Sequence, residues 1–273
     1  MIKIKSSILL CLIFLMSPVL VHAELVFSAP PREKPDAGNR IYGPIAESLS
    51  VVLGEKVVYK HPRDWLTYSM SMRRGDYDLV FDGPQFAAWR MQHIQHVPLV
   101  KLKGHLGFFI VTKKDTGLNK IQDLVARKVC GLASPNLATI SMLREFKNPM
   151  RQPIFVETKG GMKGIYNNLN AGKCQAAVMR DGFYKNKIPD DLKGKYKIIW
   201  KSIRMPNQTI TASKKIPVQL REQMIASLTT QKGATGASGL FKRFSKKSKQ
   251  FVMSKGEEYN ELNMLLEGVV WGW

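Results

Sequence analysis

From residue 25 onward, short apolar runs alternate with longer segments whose apolar side chains recur at helical spacing, the pattern of strands and helices taken in turn. Residues 25–28 read as a first strand, ended by the turn Ala29-Pro30-Pro31. Residues 42–53 place Ile45, Leu49 and Val52 on one face and stop at Gly54, so they predict a helix. Residues 57–59 predict a second strand, and Asp64 is placed to cap a helix running to residue 72. Residues 78–81 predict a buried third strand that ends in the turn Asp82-Gly83-Pro84.

The same rhythm returns between residues 105 and 205. Strands are predicted at 106–112, 128–132, 154–157 and 175–179, with helices at 120–125, 134–146 and 162–171. Beyond it come an extended stretch at 208–212 and a helix whose apolar face is Val218, Leu220, Met224, Ile225 and Leu228. Helical patterns at 241–253 and 259–266 follow. Alternation of this kind predicts an α/β protein with mostly parallel sheets. Because the last segments add no new strand-helix-strand unit, they are expected to pack back on the first unit. One lobe is then 24–104 plus 206–273 and the other 105–205, with hinges near 102–106 and 204–208. A cleft between two such lobes takes ligands outside the carboxyl ends of the strands.

The first 23 residues read differently. Lys3 and Lys5 form a positive start, residues 8–16 an apolar stretch, and Val21-His22-Ala23 a small-residue cleavage site, the organisation of a cleaved signal peptide. The apolar stretch is broken by Ser17 and Pro18, short of the ~20 residues that span a bilayer. Cys11 follows Leu9-Leu10 without the small residue that lipid attachment needs. Removal of the leader leaves Cys130 and Cys174, for which export to an oxidising compartment permits a bridge, with two buried thiols as the alternative. No later segment is apolar enough to span a membrane.

The formal charge of the chain is +21, which attracts anions in general. Export and the spread of basic residues along the whole chain argue against nucleic acid. The densest cluster, Lys242, Arg243, Lys246, Lys247 and Lys249, alternates with Phe241, Phe244 and Phe251 and predicts an amphipathic surface helix with a solvated basic face. Enzyme signatures are missing. His61, His93, His96 and His105 form no His-Glu-x-x-His pair, Gly160-Gly161 is not followed by Gly-Lys-Ser/Thr, and no Gly-x-Ser-x-Gly is present. Neither a metal nor a cofactor is expected.

Four segments together resemble the substrate-binding proteins of phosphate, phosphite and phosphonate ABC transporters, with the type 2 periplasmic-binding-protein fold. They are Leu25-Val26-Phe27-Ser28-Ala29-Pro30; Arg74-Gly75-Asp76-Tyr77-Asp78-Leu79-Val80-Phe81-Asp82-Gly83-Pro84; Gly107-Phe108-Phe109-Ile110-Val111-Thr112 with Ile121 and Asp123-Leu124; and Ala171-Gly172-Lys173-Cys174-Gln175-Ala176-Ala177-Val178 with Asp181 and Tyr184. The resemblance implies a periplasmic solute-binding protein, acting as a monomer, that closes over a small anionic solute and docks on an ABC transporter permease. In the family, hydroxyls and N–H groups at a helix start in the second lobe hold the anion, a use of the unpaired N–H groups and dipole of a helix N-terminus. The matching stretch here puts Ser134 as N-cap with Pro135 at the first helical position, and adds Asn136, Thr139 and Ser141.

From the first lobe, Ser28, Arg32, Gly83 and Pro84 follow strands and are expected at the cleft, with Tyr42 and Trp65 as aromatic walls. Asp181 and Tyr184 match a pair that recognises an amino group on the ligand. The chain departs from the phosphonate pattern: the dense serine and threonine cluster is thinned, and Met162 with Lys159 nearby stands where a histidine opens the next helix. The solute is left open among phosphonate, phosphite, phosphate and another compact solute. Two other readings also stand, a sensor that presents its liganded state to a membrane receptor or kinase, and a basic envelope surface-binding protein or enzyme.

Overall fold

Each early element begins or ends where the sequence supplies the local chemistry. In the computed structural model, which describes residues 24–245 and 249–267, β1 (Leu25–Ser28) leads to α1 (Pro35–Leu53), which Gly54 ends in the left-handed conformation that glycine adopts without penalty. After β2 (Val57–Tyr59), Asp64 caps α2 (Trp65–Arg74) by accepting the Thr67 N–H at 2.7 Å. Then come β3 (Leu79–Asp82), α3 (Pro84–Ile94) and β4 (Val97–Leu102). The leader lies outside the described residues, as do Lys246 and Lys247.

The chain then crosses through β5 (His105–Leu106) into a second series: β6 (Phe108–Lys113), β7 (Lys128–Gly131), α4 (Leu137–Leu143), β8 (Ile154–Glu157), α5 (Gly161–Asn170) and β9 (Ala176–Arg180). It continues through α6 (Asp181–Lys187), α7 (Asp190–Lys193) and β10 (Tyr196–Lys201). It returns through β11 (Met205–Pro206), antiparallel to β5, and ends in β12 (Thr209–Ala212), α8 (Val218–Leu228), α9 (Gln231–Gly236), α10 (Ser238–Phe244) and β13 (Phe251–Met253).

Two lobes result. The first is built on a sheet of order β13-β4-β12-β3-β1-β2, in which β1 is parallel to β2 and β3 while β12 runs antiparallel between β3 and β4. The second is built on the order β10-β6-β9-β7-β8, with β7 parallel to both β8 and β9. Three apolar cores hold them. Phe27, Tyr42, Leu49, Ile210 and Phe241 fill the first lobe. Ile165 and Leu169 pack around Cys130 and Cys174 in the second, where the two cysteines form a disulfide with Cα atoms 5.8 Å apart. A third core runs from one lobe to the other, joining Tyr68 and Phe86 to Phe108, Ile140 and Leu265. Full burial of side chains this size stabilises by about 1.5–3 kcal/mol each.

Several expectations need correction. Helix α1 starts at Pro35, well before residue 42, because a proline at the first helical position gives up an N–H that has no partner there anyway. The same holds at Pro84: the expected turn Asp82-Gly83-Pro84 is the start of α3, with Gly83 as N-cap. Pro84, Gln85, Phe86, Ala87, Ala88 and Arg90 are all buried, so α3 shows no clean polar face for periodicity to detect. Ser134 is not the cap of the helix expected at 134–146; Asn136 is, its side chain accepting the Ala138 N–H at 3.1 Å, and α4 has seven residues.

The pattern at 241–253 is not one helix. It breaks into α10 and the edge strand β13, whose Phe251 packs on Phe241 with ring centroids 4.9 Å apart, so the apolar repeat serves one core from two elements. Residues 259–266 form parts of two 3₁₀ turns, Gly256–Tyr259 and Leu262–Leu265. The sequence pattern marks none of α6, α7 and β10. Among the described residues no helix is long and apolar enough to cross a membrane, and no cluster of three or more His, Cys, Asp or Glu could hold a metal.

Candidate functional site: the cleft between the lobes

Strand ends from both lobes converge on a cavity of about 590 Å³. Arg32 follows β1, and Gly83 and Gln85 follow β3. Ser134 and Asn136 follow β7, Glu157 is the last residue of β8, and Arg180 is the last of β9. Arg243 and Phe244, at the end of α10, close one side. This is the placement expected for open α/β sheets, whose ligands sit beyond the carboxyl ends of the strands.

A hydrogen bond joins the walls. Gln85 of α3 donates from Nε2 to the Pro135 carbonyl across the cleft at 3.4 Å, while its Oε1 folds back over Gly83. A Cβ at position 83 would lie 2.5 Å from that oxygen, so only glycine leaves Gln85 this conformation. Five buried side-chain polar atoms lack a hydrogen-bond partner among the described residues, and three of them, Arg32 Nη1, Gln85 Oε1 and Ser134 Oγ, belong to this cavity's lining. A buried polar atom without a partner costs about 1–3 kcal/mol, which concentrates unsatisfied hydrogen-bonding capacity here.

Charge is concentrated as well. Arg180 is half-buried with no carboxylate within ion-pairing distance among the described residues, and burial pushes its guanidinium pKa down while neighbouring Asp181 opposes the shift. Its position is held by a hydrogen bond from its backbone N–H to Met162 Sδ at 3.3 Å. Arg243 pairs with Glu33, Nε to Oε1 at 3.0 Å, and Glu33 also accepts from the Tyr42 hydroxyl. The guanidinium carbons of Arg32 and Arg243 lie 5.7 and 4.8 Å from the centroid of the Phe244 ring. The lining thus carries three arginines, Arg32, Arg180 and Arg243, the last of them paired with Glu33, and one carboxylate, Glu157.

Of the residues singled out from sequence, Arg32, Trp65, Gly83, Ser134 and Asn136 line the cavity together. The others lie elsewhere. Ser28 is fully buried and donates to the Lys60 carbonyl at 2.8 Å, and Tyr42 is wholly inside the first core. Pro84 is buried in the first turn of α3, outside the lining. Thr139 donates to the Leu132 carbonyl at 2.5 Å. Ser141, at the far end of α4, lines a separate hollow with Arg144, Trp200 and Ile203. Lys159 is exposed outside the lining. Asp181 accepts from the Gly182 N–H and from Lys185, and the Tyr184 ring packs edge-on against Phe109 at 5.9 Å.

Sequence reasoning missed Glu157, Arg180, Gln208, Arg243 and Phe244. A signal existed for two of them: Glu157 and Arg180 are the final residues of strands, where the fold aims side chains at the cleft.

Comparisons with known proteins agree with the fold. A Xanthomonas citri protein, XAC2383, solved bound to ATP, superposes with a TM-score of 0.69 at 10% identity, covering 89% of this chain and 96% of that one. PhnD1 from Prochlorococcus marinus, solved with methylphosphonate, gives a TM-score of 0.59 at 13% identity over 89% of this chain and 96% of its own. The binding component of a Pseudomonas aeruginosa ABC phosphonate transporter gives 0.55 at 13% identity over 90% and 86%. No curated protein matches the sequence. The sequence itself matches a family model over residues 27–259, so the chain belongs to the periplasmic substrate-binding proteins of phosphonate ABC transporters.

Proposed function

We propose that the chain captures a phosphorus oxyanion of the phosphate, phosphite or phosphonate kind by closure of its lobes and delivers it to an ABC permease in the inner membrane. It works as a monomer in the periplasm once residues 1–23 are removed, with 24–104 and 206–273 as one lobe, 105–205 as the other, and the β5–β11 crossing as the hinge. The observation that carries the reading is Arg180: a guanidinium in the cleft wall, partly desolvated and without a carboxylate partner, is stabilised by an anion that enters. The ligands solved with two similar proteins, ATP and methylphosphonate, both present oxygens on phosphorus. The cleft residues act by binding, and closure follows from the ligand's greater affinity for the closed form.

Isothermal titration with methylphosphonate, phosphite, phosphate and sulfate tests this. At least one phosphorus oxyanion is expected to bind, and Arg180→Gln is expected to weaken it about 10- to 100-fold, the scale of a lost charge-assisted hydrogen bond. If Arg180→Gln binds as tightly as the parent, or if no phosphorus compound binds, the reading fails.

A further inference from the structure

We infer that the preferred ligand carries a planar ring beside its phosphorus-bound oxygens, and is an aryl phosphonate or a compound of nucleoside monophosphate size. This rests on the reading of the cleft as an anion site and narrows the class of anion.

Three observations carry it. The first is size. The cavity is about 590 Å³ although its walls already meet at Gln85 and Pro135, so the space is not that of a cleft standing wide open. A tetrahedral oxyanion displaces only about two waters' share of volume, on the order of 60 Å³. Cavities of roughly 300–1,000 Å³ suit bodies of drug size.

The second is the lining. Phe86 and Phe108 form buried floor, while Trp65 and Phe244 present half-buried rings at the wall. Leu137 and Met162 add apolar surface from the second lobe. A bare oxyanion leaves this surface facing water; a ring covers it and gains the offset or edge-on contacts that aromatic faces favour.

The third is how charge and rings are interleaved. Trp65 is stacked on Phe86, with centroids 6.2 Å apart and planes 21° from parallel. Arg32 and Arg243 both lie against Phe244, so this wall offers guanidinium planes and a ring together. Guanidinium groups bind phosphorus-bound oxygens in pairs and also stack on flat π systems, so this wall can hold both parts of one ligand. Arg180 stands on the second-lobe side for the oxyanion.

The test is a titration series on the protein expressed from its full sequence, using phosphate, methylphosphonate, phenylphosphonate, AMP and adenosine. Phenylphosphonate or AMP is expected to bind at least tenfold more tightly than methylphosphonate and phosphate, and adenosine far more weakly than AMP. Phe244→Leu and Trp65→Leu, which keep apolar bulk, are expected to shrink that advantage, weakening phenylphosphonate and AMP more than methylphosphonate. Arg180→Gln is expected to weaken every phosphorus ligand. Methylphosphonate or phosphate binding as tightly as the ring-bearing compounds would overturn the inference and leave the anion function standing. Adenosine matching AMP, or no binding by any phosphorus compound, would overturn both. The parent protein's ligand order decides the matter even if a variant fails to fold.

Discussion

Burial acts on Arg180 and His96 in the same direction, against the charged form, with different results. Arginine keeps its proton in proteins, so Arg180 is left as a charge in want of an anion. Histidine gives its proton up. His96 is buried beside Arg90 with Nδ1 3.2 Å from Thr211 Oγ1, and burial, with the Arg90 charge adding to it, lowers its pKa to about 3. Its unfolded value is near 6.5, so between those limits the unfolded chain binds a proton that the native protein refuses. The contribution is whole above pH 6.5 and is lost toward pH 3, at up to about 1.4 kcal/mol per pH unit. Urea unfolding at pH 7 and pH 5.5 is expected to show this loss, and His96→Gln is expected to flatten it; an unchanged slope in the variant would remove His96 as the cause. His61, also lowered by burial, adds to the loss in the same direction.

At this scale the sequence was a partial guide. Arg32, Gly83, Ser134 and Asn136 could be found because they follow strands, and that rule is a property of the backbone. Tyr42 could not be assigned, because a tyrosine in a helix serves core or cleft according to a rotation that its spacing does not reveal. Arg243 and Phe244 reach the cleft only through the packing of α10 on α1, which no local pattern encodes.

Among elements, the start of α3 is the one on which the cleft most depends. Asp82 at the end of β3 and Arg90 on α3 form a fully buried two-pronged pair, at 2.6 and 2.9 Å, and Arg90 also reaches Thr211 on β12. Tyr68 of α2 donates to the same carboxylate. Two helices and two strands, α2, α3, β3 and β12, are thereby fixed around Gly83 and Gln85. Arg90→Met leaves the Asp82 carboxylate buried without its partner and is expected to cost about 3–5 kcal/mol in denaturant unfolding; a loss below about 1 kcal/mol would show that the pair is not what holds α3. Helix α8 was legible in the sequence because Met224 and Leu228 are buried while Gln219, Glu222 and Gln223 meet water, and β3 because it is a short, wholly buried apolar run closed by turn residues. Helix α3 was not, because it is covered on most sides and begins with the Gly-Pro pair that elsewhere marks a turn.

For the whole molecule, two lobes and a return crossing were legible from the order of apolar runs alone. What that order did not reveal is where the returning strand goes. β12 is inserted between β3 and β4, in the interior of the first sheet, while the second sheet is made entirely from the continuous stretch 108–201. During synthesis, therefore, the first lobe holds two open strand edges until residues 209–212 emerge, whereas the second has all its strands by residue 201. Closing the longer loop costs more chain entropy and is slower. Pulsed hydrogen exchange during refolding is expected to protect amides of β6, β7 and β9 before those of β3 and β4, and simultaneous protection would contradict it. The lobe that starts the chain is thus the last to be finished, and a ribosome-bound or half-exported chain carries an unpaired sheet interior that only its own final third can fill.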